Sequence, residues 1–392
     1  MSQPGDNSTA VLLLAHGTPN VLGEMPAYLA KVTGGRALPP SVVAELQHRY
    51  AQIGLGETPT PQPPPLTRWT IAQAHLLADA LATEGHPRRV YVAMRNWHPL
   101  IADVVRQMRA DGVNRILALC LAPQNSRTST GLYRRDLVSA LDAEAARNPA
   151  APKPHLTFIE SWSEEPFLIE AFAQRLIDLY PRACAESSAA VGTKAESLPI
   201  LFTAHSVPCR TIQSSESMPF LSSRSAMPFL SSRSAMPFLS SRSAMPFLSS
   251  PSAMPFLSSP SAAEGSASSS PDPYPVEAKR TAELVFASAA RRLPTLKKWF
   301  FAFQSQGVAG GPWIGPTVED TLAAIRAEGH SAVVLQPIGF LSDHVEVLYD
   351  IDIAFAATAH SLGLRLYRPE SLNDSPLLTR ALLHVVRRAL AT

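Results

Sequence analysis

Short, continuous runs of apolar residues alternate along this chain with longer stretches in which apolar positions recur every three or four residues. The short runs are typical of strands buried on both faces of a parallel sheet, and the longer spacing predicts helices. Strands are predicted at Val11–Ala15, Arg89–Met94, Arg115–Leu121, Leu156–Glu160, Pro199–Ala204, Trp299–Phe303, Ala332–Pro337 and Leu364–Tyr367. Helices are predicted at Trp69–Ala82, Pro99–Asp111, Thr130–Ala146, Glu165–Leu179, Pro275–Arg292, Pro316–Glu328, Asp343–Leu362 and Pro376–Leu390. This alternation predicts an α/β protein with parallel sheets.

The first and fifth predicted strands end in related sequences. Val11–Pro19 reads VLLLAHGTP and Ile200–Pro208 reads ILFTAHSVP. We therefore expect two similar Rossmann-like lobes at 9–160 and 161–374, each a four-stranded parallel sheet flanked by helices, with a C-terminal helix at 375–391 packing on the first lobe. Ligands of open α/β sheets bind at the carboxyl ends of the strands. The predicted site is a cleft between the lobes, with His16 and His205 at its edges.

A nonapeptide repeat interrupts the second lobe. MPFLSSRSA at Met218–Ala226 recurs four more times up to Ala262, twice with Pro in place of Arg. A period of nine residues with an internal proline fits neither a helix nor a strand, and each unit is short for a solenoid repeat. We expect a disordered insertion at 213–271; a docking segment that uses the Phe-Leu pairs is the alternative.

Deletion of Met218–Ala262 is expected to leave folding and activity nearly unchanged. The entropic cost of closing a loop rises by only about 0.6 kcal/mol for each doubling of its length. Melting temperature and turnover of the deletion variant measure this, and a large loss of either would mean that the repeats are structured.

Composition narrows the class of protein. The formal charge of +2, from 34 basic and 32 acidic residues, lacks the basic excess of a nucleic-acid binder. Three widely spaced cysteines cannot form a disulfide framework and indicate a reducing compartment. Apolar runs fall short of the roughly 18 residues that a membrane span needs, and the polar first residues lack the layout of a secretion signal. We expect a cytoplasmic monomer without a transmembrane segment; peripheral membrane contact stays open.

The segment Pro337–Asp352, PIGFLSDHVEVLYDID, concentrates acidic residues after a predicted strand. On a regular helix Asp343, Glu346 and Asp350 share one face, where they would raise each other's pKa or gather a cation or a proton. Asp343 and Glu346 also have the spacing of a capping box, which offers a structural explanation for both. His205 is either a base or metal ligand in the cleft or a hydrogen-bonded strand-end residue. Trp313 is either core or an aromatic wall for a planar ligand.

Three motifs in this order resemble the ferrochelatase family, in bacterial relatives including the coproporphyrin III type. They are TAHSVP at Thr203–Pro208, FQSQG with PWIGP at Phe303–Pro316, and GFLSDHVEVLYDID at Gly339–Asp352, within a resemblance over about Val11–Leu390. The resemblance implies catalytic roles for His205, Glu346 and Asp350, the first two as the metal site. Ala354 would truncate the acidic line that continues from Asp350 in bacterial relatives. The implied porphyrin contacts are His16, Arg49, Tyr50, Thr58, Tyr133 and Trp313.

The resemblance implies an enzyme that inserts Fe²⁺ into a porphyrin in haem synthesis, with two protons released. Fe²⁺ is then a substrate, and no cofactor is required. We expect the bent macrocycle to lie between His205 and Glu346 as opposite partners. His16, which replaces a family tyrosine, and the arginine set favour coproporphyrin III slightly, and protoporphyrin IX stays open. The alternatives are a chelatase for another metal and tetrapyrrole, or a non-catalytic haem-binding or haem-transfer protein.

Overall fold

The computed structural model describes residues 8–150, 152–191, 197–212, 271–306 and 312–391. The predicted insertion at 213–271 therefore lies outside the described residues except for its last position. Eight strands are found: β1 Thr9–Ala15, β2 Arg89–Met94, β3 Arg115–Cys120, β4 His155–Ile159, β5 Ile200–His205, β6 Trp299–Gln304, β7 Ala332–Pro337 and β8 Arg365–Tyr367.

The strands form two four-stranded parallel sheets with the same internal order. The first sheet runs β2-β1-β3-β4, and the second runs β6-β5-β7-β8. In each sheet the strand that leads into the Ala-His sequence is an inner strand. His16 therefore follows β1, and His205 ends β5, where it pairs with Gln304 of β6. The predicted pair of four-stranded parallel sheets is confirmed.

Helices cover both sheets, and each predicted helix has an observed counterpart. The helices are α1 Met25–Val32, α2 Pro40–Gln52, α3 Pro65–Thr83, α4 Ile101–Ala110, α5 Thr130–Arg147, α6 Pro166–Val191, α7 Cys209–Ile212, α8 Tyr274–Ala290, α9 Val318–Ala327, α10 Val345–Leu348, α11 Ala356–Ser361 and α12 Pro376–Leu390. A 3₁₀ turn, Leu22–Glu24, precedes α1.

The sequence analysis missed α1 and α2, which follow β1. Met25, Tyr28, Leu29 and Val32 are buried on one side of α1 at helical spacing. The same spacing applies to Leu46 and Tyr50 of α2, and both helices join one apolar cluster with Trp97. The helical period was therefore present in the sequence, and these two helices supply part of the cleft lining.

The predicted single helix Asp343–Leu362 is wrong in its first half. A π-helix at Asp350–Phe355 separates α10 from α11. Its wide turn is visible in the hydrogen bond from Ala354 N to the Tyr349 carbonyl, 3.0 Å. Single π turns within helices occur often at functional sites.

The predicted capping box at this helix is also wrong, and so is the row of three carboxylates. His344 takes the N-cap position of α10, without a side-chain capping bond. Asp343 precedes the helix, and its carboxylate accepts hydrogen bonds from Ser371 Oγ (2.7 Å) and Asn373 Nδ2 (2.9 Å). Asp343 therefore fixes a loop of the second sheet instead of joining Glu346 and Asp350.

One apolar core joins both sheets. It includes Val11 and Leu117 of the first sheet and Phe202 and Val334 of the second. The C-terminal helix α12 contacts α3, α6 and β3. Within the part of the chain that the structure describes, no helix is long and apolar enough to cross a membrane.

Candidate active site

A large cavity opens between the carboxyl ends of the two sheets. The empty space that it encloses is about 1470 Å³, which includes open solvent at its mouth. From the first sheet and its helices it receives His16, Tyr28, Tyr50 and Tyr133, among others; the second sheet supplies His205, Trp313, Phe340, His344 and Glu346. Aromatic and apolar side chains dominate the lining, as a flat apolar ligand requires.

His205 and Glu346 meet in this cavity. His205 Nε2 lies 3.6 Å from Glu346 Oε1, and their side chains are 15% and 3% exposed. The side chain of Gln304 links the two segments that carry this pair. It accepts a hydrogen bond from Thr203 Oγ1 (2.6 Å) and donates one to the Glu346 carbonyl (3.0 Å). The end of β5 and the start of α10 are thus tied in one rigid arrangement.

The expectation that Glu346 faces His205 across the macrocycle is wrong. A gap of 3.6 Å between the two side chains equals a single van der Waals contact, whereas an intervening ring needs such a contact on each of its faces. His205 and Glu346 therefore belong to the same side of the cavity. The imidazole that reaches the cavity from the other sheet is that of His16.

His344 is a third member of this group that sequence reasoning did not single out. Its Nε2 lies 3.5 Å from Glu346 Oε2, and its Nδ1 is 2.9 Å from the Ser342 carbonyl. Because a carbonyl can only accept, Nδ1 carries a proton. The ring also packs edge-on against Phe340. The signal available in the sequence was its position two residues before Glu346, which indicated proximity but not contact.

Electrostatics keep Glu346 ionised despite its burial. Burial acts to raise the pKa of Glu346, but His205 and His344 act in the opposite direction and hold the pKa below its ordinary value. For His344, burial acts to lower the pKa, and the contact with Glu346 overcomes it, so that this pKa lies above its ordinary value. The cavity therefore contains a carboxylate that stays charged and is poised to accept protons or a cation.

Asp350 lies beyond Glu346 along the chain and, unlike Glu346, is not in the described lining of the cavity. Ser305 Oγ donates to Asp350 Oδ2 at 2.6 Å, and Arg49 Nη1 lies 4.0 Å from Oδ1. Ser305 has φ +61°, an unusual backbone conformation for serine that aims its hydroxyl at this carboxylate. Burial raises the pKa of Asp350 to about 7; Ser305 and Arg49 oppose this shift, and Glu346 reinforces it. Asp350 can therefore exchange protons near neutral pH.

Asp350→Asn is expected to stabilise the protein more at pH 8 than at pH 5. In the wild type the folded pKa is about 7 and the ordinary value 3.8, so the folded state binds more protons and stability falls as pH rises from about 4 through 7. Asparagine removes this penalty, which is on the order of 2–4 kcal/mol of unfolding free energy at high pH. Thermal melts of both proteins at the two pH values measure it; an equal difference at both would contradict the raised pKa.

His16 is held as a neutral imidazole. Its Nδ1 lies 3.1 Å from the Gly17 carbonyl and 3.2 Å from Tyr28 Oη, and its Nε2 lies 2.9 Å from Asn96 Nδ2. Since the carbonyl only accepts, Nδ1 carries the proton and Nε2 accepts from Asn96. Burial lowers the pKa of His16 to about 4. Gly17, at φ +90°, allows the close approach of Trp97, whose backbone nitrogen would lie 2.8 Å from an added Cβ.

The other predicted porphyrin contacts lie in three different places. Tyr50, Tyr133 and Trp313 line the large cavity, and Trp313 is placed there by an antiparallel bridge to Pro208, directly after β5. Thr58 lines a neighbouring cavity of about 710 Å³ that shares Tyr50 and includes Arg68.

Arg49 is absent from the described lining of both cavities. Besides Asp350, it contacts Glu45 Oε1 at 2.9 Å and the ring of Tyr349. Its guanidinium therefore faces the carboxylates of Glu45 and Asp350.

Metal ligation was predicted for a pair of side chains. Among the described residues, no group of three or more His, Cys, Asp or Glu side chains has the geometry of an ion site. The His205–Glu346 pair combines a nitrogen and an oxygen ligand, both of which ferrous iron accepts.

The two parallel sheets place a histidine and a carboxylate in one apolar cleft, and together with the family match this makes the protein a metal chelatase, a lyase. The sequence profile of the Ferrochelatase family matches residues 8–390, and the chain belongs to that family. Its activity is the insertion of iron into a porphyrin in haem synthesis.

The chain is similar along most of its length to proteins that are already named. "Ferrochelatase" of Acidobacterium capsulatum is 46% identical over 98% of this chain and 95% of its own length. "Coproporphyrin III ferrochelatase" of Anoxybacillus flavithermus is 27% identical over 96% and 94% of the two chains. Among solved structures, SirB from Bacillus subtilis with Fe³⁺ covers 98% of this chain and 96% of its own, with 11% identity and a TM-score of 0.46.

Proposed function

We propose that His205 and Glu346 carry out iron insertion together, from one side of the bound porphyrin. The observation that supports this most directly is their 3.6 Å contact at the end of the cavity. A free porphyrin must lose two inner N–H protons as the metal enters. Glu346, held ionised between His205 and His344, supplies the negative charge that attracts Fe²⁺ and can accept a proton as the metal enters the ring. His205 then shares the second proton or guides the incoming Fe²⁺.

Asp350 is the proposed route by which protons leave or iron arrives. It lies one helical turn beyond Glu346 and has a pKa of about 7, so it can take up a proton from Glu346 and release it near neutral pH. Ser305 and Arg49 steady its charged form. With Ala354 one turn further on, the acidic line ends at Asp350 in this chain.

Iron insertion also requires a bent macrocycle, and the cavity walls would hold the porphyrin in that shape. A planar porphyrin does not present its nitrogen lone pairs to a metal, so binding energy from the ring faces must be used to hold it distorted. Tyr50, Tyr133 and Trp313 line the cavity on several sides and would contact the ring.

Fe²⁺ is a substrate in this mechanism, and no further cofactor is required. One imidazole and one carboxylate form a weak ligand set that lets the metal pass to the porphyrin nitrogens. We further propose a cytoplasmic location, because all three cysteines are free thiols, two of them buried.

Anaerobic mixing of the protein with Fe²⁺ and free porphyrin tests this function. We expect the free-porphyrin absorbance bands to be replaced by those of haem at a rate far above the uncatalysed one. Tight uptake of added haem without accelerated metallation would instead identify a haem-binding or haem-transfer protein. Faster insertion of Co²⁺ or Ni²⁺ into another tetrapyrrole would favour a different chelatase.

We propose coproporphyrin III as the preferred porphyrin. Support comes from the name of the Anoxybacillus relative and from the polar second cavity, where Arg68 and Thr58 adjoin the main cleft and could receive an additional carboxylate. Values of kcat/KM on the two porphyrins should favour coproporphyrin III by about tenfold or more, which is about 1.4 kcal/mol of transition-state binding. A preference for protoporphyrin IX would overturn this choice and leave the metallation activity intact.

A further inference from the structure

We propose that Asn96 is a positioning residue that prevents His16 from binding the iron of the product haem. This inference rests on the proposed function, because it concerns how the enzyme releases what it makes. It concerns the opposite side of the cavity from His205 and Glu346.

The chemistry of the product explains why His16 must be kept from binding the haem iron. A haem iron keeps open axial positions, and a neutral imidazole is one of its commonest protein ligands. His16 lines the same cavity as His205 and Glu346 but comes from the other sheet. An enzyme that presents an available imidazole nitrogen to newly formed haem would hold its product tightly.

The structure gives both ring nitrogens of His16 other partners. Nδ1–H faces the Gly17 carbonyl and Tyr28 Oη, and Nε2 accepts from Asn96 Nδ2 at 2.9 Å. Nε2 is therefore the nitrogen with a lone pair, and the Asn96 amide occupies it. Ligation of iron would break this bond and leave a buried amide donor unsatisfied, which is unfavourable.

Asn96 is itself held firmly beside His16. Its backbone N–H donates to the His16 carbonyl at 2.9 Å, and the residue is 2% exposed. The backbone bond does not depend on the side chain and is available to every residue except proline, so Asn96→Leu can remove the side-chain donor without freeing the segment. Burial also keeps the pKa of His16 near 4, so a proton cannot take the place of the amide at neutral pH.

Titration with ready-made haem tests the proposal, using wild type, Asn96→Leu, His16→Phe and the double variant. We expect wild type and His16→Phe to give the same Soret and visible bands. Asn96→Leu should give the bands of an imidazole-ligated haem, and the double variant should lose them. Transfer of haem from Asn96→Leu to apomyoglobin should be slower than from wild type by about tenfold or more.

Product release should also appear in the kinetics of Asn96→Leu. We expect a burst of about one haem per enzyme followed by a slow steady state, because release becomes limiting. If Asn96→Leu fails to fold, Asn96→Ala replaces it, and the comparison of wild type with His16→Phe needs neither variant.

Two results would overturn the proposal. One is an imidazole-ligated spectrum in wild type that His16→Phe abolishes, and the other is a folded Asn96 variant with wild-type bands and wild-type haem transfer. Because haem is added ready-made, these results do not depend on catalysis. Absence of metallation by wild type would instead count against the proposed function alone.

Discussion

Glu346→Gln is expected to lower the rate of iron insertion by about 10²–10⁴-fold, the range that positioned proton acceptors contribute. Glutamine keeps the size of the side chain but cannot accept a pyrrole proton or balance the charge of the metal. Glu346 is buried and ionised between His205 and His344. The described cavity lining contains no second carboxylate that could replace it. Anaerobic initial rates measure the loss, and porphyrin fluorescence measures binding, which should change only a few-fold.

Asp343→Asn provides a matched control for this variant. Asp343 lies three residues earlier in the same segment, but its carboxylate is engaged by Ser371 and Asn373 and does not line the cavity. Asparagine retains one oxygen, which can accept from Asn373 Nδ2, and its amide can donate to the Ser371 hydroxyl, which is also able to accept. We expect near-normal insertion by Asp343→Asn. A Glu346→Gln enzyme that turns over within tenfold of wild type would refute the role given to this carboxylate.

His205→Ala is expected to cause a loss of similar size, again with porphyrin binding largely retained. The substitution removes the imidazole that lies 3.6 Å from Glu346 and leaves a space of nearly the same shape. Added imidazole should enter this space and restore part of the activity of His205→Ala. It should not restore Glu346→Gln, whose missing group is a carboxylate.

His360→Ala serves as the control for His205→Ala. His360 is an exposed residue of α11 in the same lobe, and its loss should not change the rate. A His205→Ala enzyme with near-normal turnover would refute the role given to His205, and one whose activity added imidazole leaves unimproved would contradict a role for the imidazole itself.

Much of the fold could be predicted from the sequence because it depends on local patterns. Apolar runs identified the eight strands to within about two residues. The pattern was clearest for inner strands such as β1 and β7, because a strand buried on both faces has few polar positions to interrupt it. The repeated Ala-His ending placed His16 and His205 at equivalent strand ends, and parallel sheets bring such ends to one side. α1 and α2 were missed although their apolar spacing was helical.

Contacts between residues distant in sequence could not be predicted in this way. Periodicity assumed a regular helix from Asp343, whereas the α-helix begins at Val345 and a π-helix follows at Asp350–Phe355. Two contacts between distant residues were also not predicted: the guanidinium of Arg49 lies beside Asp350, and the amide of Asn96 meets His16. Each of these pairs joins separate elements.

The sequence by itself determined the two parallel sheets, the family and the presence of His205, Glu346 and Asp350 at strand and helix ends, because these depend on residue type and order. Tertiary structure alone decided which side of the cavity each group occupies. It placed His205 beside Glu346 instead of opposite it, and it gave the lone pair of His16 to Asn96. The physical reason is that hydrogen bonds and charge interactions act over a few ångströms, and only the packed chain fixes distances on that scale.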